Sequence, residues 1–241
     1  MSEPGGIPVV GMLGVVVPVL DEIARLGACL DAIDAALREI SLREPAVRTR
    51  VVVVDDGSVD GSDALAAARP GVELVRSAAR HVGIARARGA EELLRDSDPG
   101  TLWIATTDGD SRVPRNWALD HLDAARSGAG ALLGSIRPDP DELDDAQIRL
   151  WHELNPPEER HGYIHGANLG VRGDHYMRVG GFAPVSADED VDLVHRLRAA
   201  GVGIASSDAA PVITSARIDG RVPAGFAHYV AAELGSVRSG A

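Results

Sequence analysis

The chain has no lysine: all 24 of its basic residues are arginine. A permanently charged side chain that binds phosphate here must therefore be a guanidinium, which is also the better bidentate ligand. It has a single cysteine, Cys29, so no intrachain disulfide can form. No cationic start followed by an apolar core and a cleavage site is visible, and the cytoplasm is the expected compartment. Long apolar runs are missing too. The longest, around Val9 to Leu20, is broken by Gly11, Gly14 and Pro18 and falls short of a membrane span. Positive charge is scarce: 36 acidic against 24 basic residues give a formal net charge of -12, which disfavours nucleic acid and anionic lipid as partners. Aromatic residues are only 3% of the chain, leaving few stacking platforms for a long glycan.

What is present suffices for a sizeable core. The 241 residues are 45% hydrophobic and 25% charged, within reach of one large domain or two closely joined halves. The richness in Arg, Ala, Gly, Val and Asp suggests a GC-rich bacterial genome. Val15-Val16-Val17 is a short β-branched run, after which Ile23, Leu26, Leu30, Ile33, Leu37 and Ile40 recur at helical spacing. Val51-Val52-Val53-Val54 reads as a strand apolar on both faces, followed by an Ala-rich helix from about Ser62. Val72 to Val75 and Leu102 to Ala105 are further strands, with a helical stretch near Ile84 to Leu94 between them. This alternation predicts a largely parallel sheet flanked by helices. Beyond it a helix is expected near Asn116 to Arg126 and a strand near Ala131 to Ile136, then an acidic, Pro-rich surface stretch or lid from Pro138 to Arg160. No repeat or low-complexity linker divides the chain, so a single continuous domain is favoured.

Asp108-Gly109-Asp110 stands directly after the apolar run Leu102-Trp103-Ile104-Ala105. Open α/β sheets bind ligands at the carboxyl ends of their strands, and two carboxylates there suit a hard divalent cation that could hold a diphosphate. Asp-Gly is equally ordinary turn chemistry, so the pair alone does not decide. A second acidic strand end, Asp55-Asp56-Gly57-Ser58-Val59-Asp60-Gly61-Ser62, could accept the imide N–H of uracil or a ribose hydroxyl, with Gly57 allowing the tight turn. A turn plus a Ser/Asp helix cap would explain Ser58 to Ser62, but not both preceding acids.

The order of these signals resembles glycosyltransferase family 2 over about Val15 to Arg221. Pro18-Val19-Leu20-Asp21-Glu22 is similar to the family's Pro-x-x-Asn-Glu, with Asp21 for Asn, and the Asp55 to Ser62 segment to its Asp-Asp-Gly-Ser-Thr-Asp-Gly. Gly83-Ile84-Ala85-Arg86-Ala87-Arg88-Gly89 resembles its Ala-Arg-Asn segment, with Ala87 for Asn. Gly166-Ala167-Asn168-Leu169-Gly170-Val171-Arg172 looks like its acceptor-side strand, and Glu189-Asp190-Val191-Asp192-Leu193 like the start of its Glu-Asp-x-x-Leu-x-x-Arg-Leu motif.

The resemblance implies a GT-A fold: a Rossmann-like, mixed but mostly parallel sheet flanked by helices in one domain. A nucleotide-sugar-binding half would span about residues 12–112 and an acceptor half about 113–225. It implies nucleotide contacts from Pro18, Asp21, Glu22, Asp55, Asp56, Arg86 and Asp108. Asp110 becomes a direct ligand of Mn2+ or Mg2+, with Asp108 near the ribose or the metal, and Asp190 the general base. His165, Asn168, Glu189, Arg217 and Arg221 are acceptor or phosphate candidates. Arg217 and Arg221 lie in a loop that could close over the diphosphate, although a surface role fits as well.

The implied activity is metal-assisted, inverting transfer of a sugar from a nucleoside-diphosphate sugar to an acceptor hydroxyl. UDP leads by family habit, GDP and dTDP remain open, and the scarcity of aromatics favours a small or single-sugar acceptor. Ser186-Ala187-Asp188-Glu189 also fits a capping box, which would fix the helix end carrying Asp190. His161, His165 and His175 flank the acceptor strand but match no common zinc spacing. A sugar-phosphate nucleotidyltransferase would carry a Gly-x-Gly-x-Arg loop after its first strand and a functional lysine, both missing here. A non-catalytic nucleotide-sugar sensor is the remaining alternative, against which the pairing of Asp110 with Asp190 argues.

Overall fold

The structure, a computed structural model, describes residues 9–155, 163–185 and 187–217. Among them seven strands form one sheet: β1 (Met12–Val19), β2 (Arg48–Asp55), β3 (Val72–Arg76), β4 (Leu102–Thr106), β5 (Ala131–Pro138), β6 (Leu169–Arg172) and β7 (Ile204–Thr214). The strand order is β3-β2-β1-β4-β6-β5-β7. Strands β1 to β4 pair in parallel, β6 runs antiparallel to β4 and β5, and β5 and β7 are again parallel. This is the mixed, mostly parallel sheet expected.

Helices cover both faces: α1 (Ile23–Arg43), α2 (Ser62–Ala67), α3 (Val82–Arg95), α4 (Trp117–Arg126), α5 (Asp145–Leu154), α6 (Gly173–Arg178) and α7 (Glu189–Ala199). Alternation along each strand divides the core in two. Leu13, Val15 and Val17 of β1 pack towards α1 and α4, whereas Met12 and Val16 pack towards α3, α6 and α7. Strands buried on both faces must be apolar at every position, which is why they read as unbroken β-branched runs. No helix among the described residues is long and apolar enough to cross a membrane.

Several local expectations are corrected. Ile23 heads α1 but is 41% exposed; the buried stripe of α1 begins at Leu26 and includes Cys29 and Ala36. The acidic stretch after Pro138, expected as surface or lid, carries a helix that was not foreseen: Asp144 caps α5 through a reciprocal capping box with Gln147. The Ser186 expected to head a capping box lies outside the described residues; α7 starts at Glu189 after Asp188, whose φ is +58°. Strand β7 was not expected at all.

The topology gathers loops at one edge. Strands β1, β2, β4, β5 and β7 all end there, and β6, being antiparallel, begins there, with Thr106 opposite Leu169. The turn Gly166–Asn168 that opens β6 thus arrives beside the end of β4. The Thr106 hydroxyl donates to the Gly166 carbonyl at 2.6 Å and ties the two together.

Candidate active site

A cleft of about 310 Å³ opens at this edge. It is lined by Pro18 at the end of β1, Glu22 after it, Asp56 after β2, and Asp108 and Asp110 after β4. Arg86, His165, Glu189, Asp190 and Arg217 complete the predicted set that meets there.

The loop after β1 is built by the one after β2. Asp21 sits at φ +50°, a left-handed conformation that Asn and Asp tolerate better than most residues, which explains how Asp can stand where Asn is usual. Its backbone N–H donates to the Ser58 hydroxyl (2.9 Å) and its carboxylate accepts from the Val59 N–H (2.7 Å). Asp60 accepts from the Ile23 N–H (2.8 Å) and Ser62 Oγ from the Glu22 N–H (2.9 Å). The Ser/Asp cap foreseen for the second helix is corrected: Gly61, at φ +95°, heads α2 without a side-chain cap bond, and Asp60 and Ser62 serve the start of α1 instead.

Asp56 accepts from the backbone N–H groups of Ala79 and His81, shaping the loop that enters α3. Asp55 does not line the cleft; it is 5% exposed beneath it, with Oδ1 lacking a hydrogen-bond partner among the described residues. Asp21 also lies outside the lining.

At the β4 end, Asp110 is nearly enclosed. Its Oδ1 is approached by the Ser111 hydroxyl (3.2 Å) and the Thr214 hydroxyl (3.4 Å). Arg217 Nη2 stands 2.8 Å from Asp110 Oδ2 and 2.8 Å from Glu22 Oε1. Burial pushes the Asp110 carboxyl up to about 6, Asp108 adds to this, and Arg217 opposes it. Beneath the loop, Cys29 Sγ donates to the Asp108 carbonyl at 3.3 Å. Burial, with Asp110 and Asp108, raises the Cys29 thiol far above its usual range, so it serves as packing rather than as a nucleophile.

At the far wall the Gly166 N–H donates to Asp190 Oδ2 at 2.6 Å, and the Val191 N–H to Oδ1 at 2.8 Å. Its neighbour Glu189 turns inward onto Arg86. Burial raises the Glu189 carboxyl while Arg86 lowers it, the net direction being upward.

Asn168 is a correction. Its side chain lies in the core, accepting from Trp117 Nε1 (2.9 Å) and donating to the carbonyls of Ser135 (2.8 Å) and Ala210 (3.1 Å), so it holds the sheet rather than an acceptor. His175 is tied up by Arg172, with Nη2 3.1 Å from Nε2, away from the cleft. His161 and Arg221 lie outside the described residues. Arg80, His81, Asp188 and Thr214 line the cleft without having been singled out. Arg80 and Asp188 both have positive φ, which sequence does not announce, and Thr214 ends a strand that sequence did not reveal.

Do these side chains suit a divalent cation? Among the described residues no group of three His, Cys, Asp or Glu side chains could hold one alone. Two carboxylates with substrate phosphates are nonetheless the usual surroundings of Mg2+. Burial and the neighbouring Asp108 disfavour the charge on Asp110, and the Arg217 guanidinium stands where a cation would bind it. The donors therefore fit a metal that arrives with a diphosphate.

A sheet of this order, with acidic loops meeting at the edge where most of its strands end, defines a GT-A nucleotide-binding fold. A family model for glycosyl transferase family 2 matches residues 14–188, and the chain belongs to that family. Among solved structures it is similar to Staphylococcus aureus TarS 1-349 in complex with UDP-GlcNAc: TM-score 0.65, 12% identity, over 89% of this chain and 61% of that one. It is also similar to the mannosyltransferase PcManGT from Pyrobaculum calidifontis in complex with GDP-Man and Mn2+, at TM-score 0.62 and 20% identity, over 95% of this chain and 65% of that one. Mannosyl-3-phosphoglycerate synthase from Rubrobacter xylanophilus aligns at TM-score 0.61 and 18% identity, over 94% and 73%. The chain thus spans about three-fifths of the TarS fragment. A search of curated protein sequences finds no match.

Proposed function

We propose that this chain is an inverting glycosyltransferase that moves a sugar from a nucleoside-diphosphate sugar, UDP-linked in the first instance, to an acceptor hydroxyl. The observation that carries this reading is that Asp110, nearly enclosed and close to Asp108, and Asp190, held by two backbone N–H groups, open into one cleft. In this reading Asp110 would meet a cation-bound diphosphate, and Asp190, in the same cleft, would accept the proton.

Family membership and the UDP- and GDP-sugars bound by TarS and PcManGT support a nucleotide-sugar donor. Asp108 and Asp110 would hold a divalent metal, Mn2+ or Mg2+, which when bound supplies Lewis-acid stabilisation of the departing nucleoside diphosphate. Pro18, Glu22 and Asp56 would border the nucleotide in the half spanning about residues 12–112. In the acceptor half, His165 flanks Gly166 in the cleft lining and would contact the acceptor. Asp190 takes the proton from the acceptor hydroxyl as that oxygen forms its bond to the anomeric carbon. The bond from that carbon to the diphosphate oxygen breaks on the opposite face, and its electron pair leaves with the nucleoside diphosphate, inverting the configuration.

The test is release of nucleoside diphosphate from UDP-, GDP- and dTDP-sugars, with Mn2+ and small alcohol or monosaccharide acceptors. Asp190→Asn is expected to bind donor as the wild type does and to transfer about 10² to 10⁴ times more slowly. Undiminished turnover would remove Asp190 from its role. Tight donor binding with neither hydrolysis nor transfer would favour a sensor, and pyrophosphate release from a nucleoside triphosphate and a sugar phosphate would favour a nucleotidyltransferase.

A further inference from the structure

Arg86 is the most deeply buried cation bordering the cleft, and its surroundings do not suit a phosphate ligand. Its side chain is 5% exposed and its two terminal nitrogens are committed: Nη2 to Asp108 Oδ1 at 2.6 Å, and Nη1 to Glu189, itself 4% exposed. Gly166 lies against the guanidinium so closely that a Cβ there would come within 2.4 Å of Cζ. A side chain there would have to displace the guanidinium, and it is this glycine whose N–H donates to Asp190. One turn earlier on α3, a Cβ on Gly83 would lie 2.9 Å from the Ala183 carbonyl and 3.1 Å from Glu189 Cβ, so α3 meets the start of α7 in direct contact. The two adjacent acids of α7 are therefore set from one patch: Glu189 by Arg86, and Asp190 by the glycine resting on Arg86.

We infer that Arg86 is a positioning residue, not a nucleotide ligand: its guanidinium ties the Asp108 carboxylate at the donor end of the cleft to the helix start that presents Asp190. The inference rests on the transfer reaction proposed above. Burial works against the charge on Arg86, and Asp108, Glu189 and Asp190 outweigh it. One enclosed cation thus serves acids at both ends of the cleft, and its loss lets both ends relax. In such a site a displacement of about 1 Å is enough to lower turnover by about 10²-fold.

The experiment compares Arg86→Lys, Arg86→Met and Glu189→Gln in the full chain, using a donor that the wild type turns over. A positioning role predicts that kcat falls about 10²-fold in Arg86→Met, partly recovers in Arg86→Lys, and falls about tenfold in Glu189→Gln. Donor KM and the calorimetric affinity for nucleoside diphosphate should stay within about threefold of wild type. A phosphate ligand predicts the reverse, nucleoside diphosphate affinity lost in Arg86→Lys with kcat retained at saturating donor, and that result would overturn the inference. So would wild-type kcat in Glu189→Gln. Should Arg86→Met fail to fold, Arg86→Lys and Glu189→Gln decide. A readout independent of turnover is amide hydrogen exchange at Gly166 and Val191, the two donors to Asp190, which should accelerate about tenfold in Arg86→Lys. Unchanged exchange contradicts the inference, whereas a wild type that turns over no donor counts only against the reaction.

Discussion

Single side chains decide what the cleft can do, and several are assigned by their hydrogen bonds rather than by their motif. Asn168 sits in a motif that resemblance gives to the acceptor, yet its amide satisfies three buried groups. Asn168→Ala should therefore cost about 3 kcal/mol in urea unfolding, because buried donors and acceptors are left unpaired. Loss of acceptor binding without loss of stability would restore the motif-based reading.

His121 shows the same logic with a proton. It is buried between Trp103 and Trp117, with Nδ1 accepting from Trp103 Nε1 at 3.0 Å. Burial pulls its pKa from the ordinary 6.5 down to about 3, an effect only partly offset by Asn168. The unfolded chain then takes the proton first, so stability is full above pH 6.5 and falls by about 1.4 kcal/mol per pH unit as pH drops towards 3. Asp110, pushed up to about 6, works oppositely: the folded chain protonates first, and its destabilisation is greatest above pH 6. Comparing wild type with His121→Gln between pH 6.5 and 5 isolates the histidine, and the variant should show the flatter loss. Equal slopes would mean that His121 is not held neutral.

At the scale of elements, the strands that sequence revealed are those buried on both faces, where every residue must be apolar. Strand β7 escaped because Ser206, Ser207 and Asp208 look like a turn and Pro211 argues against a central strand. It is an edge strand, and its pairing with β5 shifts register between Gly134 and Ile136. Helix α5 escaped although its capping signal, Asp144 to Gln147, stood in the sequence, because the acids and prolines around it dominate composition. Trp151 of α5 packs on Ala216, next to Arg217, while Glu142 accepts from the Ser215 hydroxyl and the Ala216 N–H, both at 2.8 Å. Asp144→Ala removes the cap and should cost α5 about 1 kcal/mol. The expected result is faster amide exchange in α5 and at Ala216, with β1 to β4 unchanged; protection identical to wild type would break the link between the helix and the strap that carries Arg217.

For the whole molecule, the legible part of the site is the part made by strand ends. The acids after β1, β2 and β4 stand in sequence directly behind apolar runs, and the parallel order of those strands gathers their loops at one edge. What could not be read is which of two adjacent acids is open to the cleft and which is tied up beside it, a difference of one residue that separates Asp56 from Asp55 and Asp190 from the Arg86-bound Glu189. Those choices depend on partners far away in sequence, such as Gly166 for Asp190 and Arg86 for Glu189.

The central claim is that these strand-end carboxylates hold a cation-bridged nucleoside diphosphate, with Arg217 bound to Asp110 in the free chain. Calorimetric titration of UDP and GDP into the wild type and Asp110→Asn, each with Mn2+ and with chelator, measures it. The account predicts wild-type affinity at least about tenfold higher with Mn2+ than with chelator, and no such difference in Asp110→Asn. Equal affinity with and without metal in the wild type, or an undiminished metal dependence in Asp110→Asn, would contradict it.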